Sequence, residues 1–432
     1  MKKILSYLLL LLPLTWQSCL FQEDEVFDDS AANRLSAEVI KCQELLKAAP
    51  NGWKLEYYIG SNYAGGGIVF LMKFDGKQVE MAAEIGPTGY KPGNMVSSLY
   101  QVQSEQSTML TFDSYNPLLH AYSAPLDANI NIGGDYEFIV MSASEDKIVL
   151  QGKRYKNIME MTPVPKDIPW RIFMDDILTV QKQAPAYTYQ LIKGGQVLKQ
   201  FIRSESSLSS FAAYGEDNSA DPDILPFIFT EKGLKLHSPY EVNGMEIQHF
   251  KWDKKAQVFT CTDENVGDVQ LKEFIPQSRT PYETYLGQYT AVFQQLGNSN
   301  ILQKTVLIEQ KEAGKSYVLK GLETVDIPLT YSKVDGSLKM SSEALGYAGG
   351  YYLASAAGFI GYPNAELTLP AALRSGMVGA IVETSPLSLY FVDQANLSNS
   401  NLIIWAYASE EYTEANLLGY SSWYSVLSLI KK

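Results

Sequence analysis

Only three cysteines and three histidines occur in the 432 residues, and that scarcity removes most familiar chemistry before any pattern is sought. Cys19, Cys42 and Cys261 allow one disulfide at most, which excludes a cysteine-rich secreted scaffold. His120, His237 and His249 stand far apart, with no HExxH, no CxxC pair, no GxSxG elbow and no phosphate loop. A zinc hydrolase or a Ser-His-Asp enzyme would need most of these histidines to converge, so no catalytic residue is assigned. His120, near Asp113 and Ser114, is the best placed for acid–base work, and a hydrogen-bonded structural histidine is its ordinary reading. Charge is also sparse: 19% of residues are charged, with 35 basic against 48 acidic and a net charge of −13. That sign opposes phosphate backbones and anionic lipid, so nucleic acid is not an expected partner. Beyond residue 14 no apolar run is long enough to cross a bilayer as a helix.

What is present begins with a leader. Lys2 and Lys3 precede an apolar run from Ile4 to Leu14, too short for a stable anchor and flanked like the h-region of a signal peptide. Ser18 sits immediately before Cys19, and cleavage there (signal peptide 1–18) leaves a cysteine whose amine and thiol can both carry acyl chains. The expectation is a lipoprotein lipidated at Cys19. Trp16 and Gln17 fit that cleavage pattern loosely, and a soluble exported protein is the alternative. Losing Lys2 and Lys3 leaves 33 basic against 48 acidic residues, a mature charge of −15. Glu23, Asp24, Glu25, Asp28 and Asp29 follow directly, so residues 19–34 read as an acidic tether.

The body of the chain, 46% hydrophobic, suffices for large cores. Leu35, Val39, Cys42 and Leu46 recur at helical spacing and Pro50, Asn51 and Gly52 stop the run, which predicts one amphipathic helix over 31–49. Cys42 lies on the apolar stripe, where a thiol is buried and inert. From Trp53 the period becomes two. Trp53, Leu55, Tyr57 and Ile59 alternate with polar or amphipathic residues, Ile68 to Phe74 does likewise, and Asp75-Gly76 marks a hairpin. Strands are expected at 136–141, 147–151 and 157–162, with hairpins around Gly194-Gly195, Lys232-Gly233 and Asp253. No long helix interrupts them in this reading, and Ser204 to Pro226, polar and turn-rich, reads as an irregular connection. The expected organisation is a helix-plus-β domain over 35–275, a Pro-containing linker over 276–282, and a second β domain over 283–432.

That second unit opens with Tyr285 to Thr290, continues with strands at 305–309 and 317–321, and turns at Asp335-Gly336. Further strands at 377–383, 387–392 and 402–408 make an antiparallel set of lipocalin-like barrel or sandwich type. The fold class is therefore mainly β: an N-terminal amphipathic helix, then two antiparallel β units.

Three stretches carry a resemblance to a known family: Leu110 to His120, Gly134-Asp135-Tyr136-Glu137-Phe138, and Ile148 to Lys153. With Phe27-Asp28-Asp29-Ser30 and Ala48-Ala49-Pro50-Asn51-Gly52-Trp53, they make nearly the whole mature chain resemble a Bacteroidetes family of domain-of-unknown-function lipoproteins. The resemblance implies an outer-membrane, cell-surface setting near SusC-like and SusD-like nutrient uptake proteins, often alongside a zinc peptidase. It implies no activity and no catalytic residues.

Two other signals bear on ligands. Asp127, Asn129, Asn131 and Asp135 form an oxygen-rich run that could converge on calcium, although its glycines fall off the EF-hand position and a solvated turn is the ordinary reading. Asp217 to Asp223 and Asp263 to Asp268 are two further acidic loops. Tyrosine is abundant, 28 residues with 6 tryptophans, and Gly346 to Tyr352 and Gly358 to Tyr362 read as candidate binding loops. Two functions stay open. One is a non-catalytic surface lipoprotein that binds a glycan or peptide or docks onto an uptake system; the other is a carboxylate-based hydrolase acting on an extracellular polymer.

Overall fold

The structure is a computed structural model that describes residues 31–86, 90–123, 132–205, 208–215, 221–296, 300–359, 376–393 and 401–432. Helix α1 (Ala31–Ala48) forms where the spacing predicts it, with Cys42 and Leu46 buried and Leu35 and Val39 half-buried. Gly52, at φ +76°, turns the chain out of it, and a Cβ there would collide with the Met72 carbonyl oxygen.

Strands β1 (Trp53–Ile59), β2 (Gly66–Phe74), β3 (Gln78–Ala83) and β4 (Val96–Leu99) form one half of a nine-stranded antiparallel sheet. The other half is β5 (Gln101–Ser104), β6 (Thr108–Thr111), β7 (Glu137–Ala143), β8 (Ile148–Gly152) and β9 (Ile158–Pro163). The order is β4-β3-β2-β1-β9-β8-β7-β6-β5, and the two edge strands are interrupted only at Tyr100. The chain itself therefore ties the sheet's edges together, and the sheet curls around Trp53, Leu55, Tyr57, Phe70, Met72 and Phe138. Helix α1 and the short helix α2 (Pro117–Ser123) pack into the same core. In β2 every residue but Lys73 is buried, because its second face, with Val69 and Leu71, lies against the next unit.

The residues read as one N-terminal β unit carry two sheets, and this next unit is the second of them. Helix α3 (Trp170–Gln183), which the sequence reading did not place, leads into it with Phe173, Met174, Ile177 and Val180 buried. Those positions have helical spacing, but the start signals are missing: Pro169 provides no side-chain cap and the first turn has no acid. Eight strands then close in sequence order into a barrel: β10 (Thr188–Lys193), β11 (Gln196–Arg203), β12 (Ser210–Tyr214), β13 (Asp223–Phe229), β14 (Gly233–Val242), β15 (Met245–Asp253), β16 (Val258–Cys261) and β17 (Gln270–Glu273). The stretch read as an irregular connection from Ser204 to Pro226 holds β12 and the start of β13. Turn-forming residues between two short strands hid them, while Phe211 and Ala213 point inward. Phe201, Phe211, Phe227, Leu234, Phe250 and Leu271 fill the barrel, with exposures of 3% or less.

The third sheet has eleven strands. Strands β18 (Gly287–Gln295), β19 (Leu302–Glu312), β20 (Ser316–Lys320), β21 (Ile327–Tyr331) and β22 (Leu338–Ser341) meander. Strands β23 (Glu343–Ala348) and β24 (Tyr351–Phe359) then leave that path, and β25 (Gly376–Thr384), β26 (Leu387–Asp393), β27 (Asn401–Tyr407) and β28 (Leu417–Lys431) complete the set. In β28, residues 428–430 pair with β26 on one side and β18 on the other, which closes an eight-strand ring of lipocalin size. Its N-terminal half pairs with β27, so β27, β24 and β23 extend from the ring as a flap. Tyr289, Tyr317, Leu329, Met340, Phe391 and Leu429 fill the ring.

Cys42 and Cys261 belong to separate cores and are free thiols, and burial pushes the pKa of each up to about 11. Neither is a thiolate at neutral pH.

Candidate functional site

Two barrels with filled interiors leave a ligand their mouths and the junction between them. A cavity of about 1020 Å³, open to solvent, lies there. One wall is the mouth of the middle barrel and the other is the third sheet's β21–β22 turn. A smaller cavity of about 320 Å³ continues it and shares Tyr187, Tyr331 and Lys333 with it.

The strand pattern explains the wall. On β11 the parity that turns Phe201 inward also turns Arg203 inward, at the last position of the strand. Its guanidinium carbon lies 5.0 Å from the ring centre of Tyr187, 5.0 Å from Phe229 and 6.0 Å from Phe227, within cation–π range of all three. The Arg203 Nε is buried and meets no protein acceptor. Glu84 contributes an opposing charge, but its own oxygens accept the Val69 amide at 2.9 Å and the Gln181 side-chain amide.

From the third sheet comes Lys333, whose ammonium lies 5.7 Å from the centre of the same Tyr187 ring. Its backbone N–H donates to Glu205 at 2.8 Å, and Lys339 pairs with the other Glu205 oxygen at 2.8 Å. Glu205 is thereby consumed in joining the two walls. Lys315 pairs with Glu312, and the Asp335 carboxylate caps its own turn by accepting the Ser337 amide at 2.9 Å. Arg203 and Lys333 are left sharing one aromatic ring with no salt bridge to a described residue. Burial, then the neighbouring charges of Lys315 and Arg203, hold the Lys333 ammonium below its ordinary range, and Glu273 and Glu312 do not offset them.

The residues singled out by sequence lie elsewhere. Cys19, Asp127, Asn129 and Asn131 fall outside the described residues. Asp135 is 3% exposed, and its carboxylate accepts the Arg154 amide at 2.7 Å and the Tyr155 amide at 3.1 Å. Among the described residues no three His, Cys, Asp or Glu side chains are grouped to hold a metal. His120 stacks on Tyr136 with ring centres 4.7 Å apart, and His237 packs against Tyr58 and Tyr63. His249 pairs with Asp263 at 2.7 Å, and Asp263 also accepts the Gln248 and His249 amides. In the second acidic loop, Asp223 accepts the Tyr240 hydroxyl at 2.7 Å. Gly346 to Tyr352, expected as a loop, is the β23–β24 hairpin, with Tyr347 and Tyr351 exposed. Sequence reasoning missed the barrel mouth because Tyr187, Arg203 and Lys333 come from two different sheets.

Residues 23–254 match the family described as domain of unknown function DUF4302, and the chain belongs to that family. Residues 262–405 match a second family, also described as a domain of unknown function, DUF4987. The cleft takes Tyr187 and Arg203 from the first matched segment and Lys333 and Lys339 from the second. No curated protein matches the chain. Among solved structures, the H. pylori beta clamp in complex with 5-chloroisatin is 9% identical, with 92% of this chain and 97% of that chain covered at a TM-score of 0.11. The same clamp in complex with diflunisal has the same identity and coverage and a TM-score of 0.10. Scores that low describe no shared fold.

Proposed function

We propose that this protein is an exported, lipid-anchored binding protein of the bacterial outer membrane, serving a SusC/SusD-like nutrient uptake system. Its ligand lies in the cleft between the barrel mouth and the third sheet. The observation that carries this reading is the cleft: a cavity of about 1020 Å³ sits at a junction, is lined by aromatic rings and by two cations, Arg203 and Lys333, that make no salt bridge to a described residue, and has its two carboxylates, Glu205 and Asp335, engaged in structural contacts. The anchor rests on Ser18-Cys19 behind a short apolar leader, and the surface setting on the acidic residues that follow.

Two measurements test it. Cys19→Ala should move the protein from the membrane to the soluble fraction on cell fractionation, and membrane retention of that variant rejects the anchor. Affinity capture from gently solubilised outer membranes should recover a SusC-like or SusD-like protein, and recovery of the protein alone rejects the assembly.

A further inference from the structure

We propose that the barrel-mouth cleft binds an oligosaccharide carrying a uronic-acid residue, with the sugar carboxylate held between Arg203 and Lys333 over Tyr187. This rests on the reading of the cleft as the ligand site.

The charge pattern comes first. Lys315 and Lys339 have carboxylate partners, whereas Arg203 and Lys333 converge on one ring without any. Like charges held close in a half-buried mouth repel, and an anion placed between them removes that repulsion. A guanidinium offers a planar fork that matches a carboxylate, and the Arg203 guanidinium, lying over Tyr187, has no salt bridge to a described residue that would occupy that fork. An ammonium beside it adds a point charge on a flexible stem.

The walls select the rest of the ligand. Tyr187 and Tyr331, both half-buried, present ring surfaces against which the apolar face of a pyranose can lie, and Ser204, Thr330 and Ser341 bring hydroxyls to the same cavity. An extended peptide would seek an open strand edge for its backbone, and the closed barrel has none at this mouth. The net charge of −13 adds a limit: the surrounding field repels a long polyanion, so the site suits a short acidic oligosaccharide.

The test is isothermal titration of the purified full chain with trigalacturonate, its fully methyl-esterified form and an acidic hexapeptide. Trigalacturonate should bind at least about tenfold more tightly than the ester, with the preference shrinking as salt is raised. Lys333→Met, on a turn, should erase that preference without unfolding the protein, and Arg203→Met should do the same where its thermal melt is retained. Tyr187→Ala should weaken all glycan binding. Equal binding of acid and ester, lost in Tyr187→Ala, overturns the uronate and leaves the cleft as a site for neutral glycan. Binding of the peptide alone also overturns the uronate. Binding indifferent to Tyr187→Ala, or none by any probe, overturns both the uronate and the cleft.

Discussion

Between about pH 5 and about pH 8 the unsubstituted protein should lose on the order of 3 kcal/mol of stability more than Glu84→Gln does. Glu84 follows β3, is 5% exposed, and sits where the first sheet meets α3 and the barrel mouth. Burial pushes its carboxyl up to about 7, and the Val69 amide, the Arg203 charge and the Gln181 amide reverse only part of that. The sign follows from where the proton is held. Between the unfolded value and about 7 the folded state binds more protons than the unfolded one, so stability is greatest at low pH and falls as pH rises. Above about 7 the folded state contains a buried carboxylate, and the loss is complete.

The substituted glutamine has nearly the same shape as Glu84 and carries no charge. Its carbonyl can accept the Val69 amide, and a rotation of the Gln181 amide lets its own NH₂ donate. Denaturant unfolding of both proteins across pH, followed by hydrogen exchange in β2 and β3, isolates the Glu84 contribution from every other titrating group. Parallel pH curves for the two proteins would show that Glu84 is not protonated in the fold. The same substitution removes an acidic charge that acts on Arg203, so it should not weaken anion binding at the mouth.

Local regularity decided what could be read from the sequence. Alternation placed β1, β2 and β3, and Asp75-Gly76 fixed their register: Asp75 accepts the Lys77 and Gln78 amides, and Gly76 takes φ +104°. Asp335-Gly336 did the same between β21 and β22. Elements whose signals depend on distant packing stayed hidden. Helix α3 has an apolar stripe but no capping residue, and β12 is five residues long between polar turns. The ring closure of the third sheet rests on β28 meeting β18 and β26 together, a fact no window of sequence holds. The candidate site is of the same kind. Arg203 reads as an ordinary strand residue until β11 ends at the barrel mouth, and Lys333 as a turn residue until that turn faces Tyr187.

Tyr57→Phe should cost about 2–4 kcal/mol, a large effect for the loss of one oxygen atom. The Tyr57 hydroxyl accepts the Asp135 amide at 2.8 Å and donates to the Asp135 carbonyl at 2.9 Å, and both residues are buried. Phenylalanine leaves a buried N–H and a buried C=O without their partner, so the penalty is desolvation as well as a lost bond. The surrounding packing admits no repair. A Cβ on Gly134 would collide with the Tyr57 hydroxyl and stand 2.7 Å from the Tyr122 carbonyl, and one on Gly152 would collide with an Asp135 carboxylate oxygen. Gly134, Asp135 and Gly152 thus belong to a structural knot that joins β1 to the β8–β9 turn, which gives the Gly134-Asp135 motif a reason independent of any ligand. Hydrogen exchange at the Asp135 amide, with the denaturation midpoint of the first sheet, measures the effect. An unfolding free energy lowered by less than about 1 kcal/mol, with exchange unchanged, would mean that water reaches these groups and that the knot is not closed.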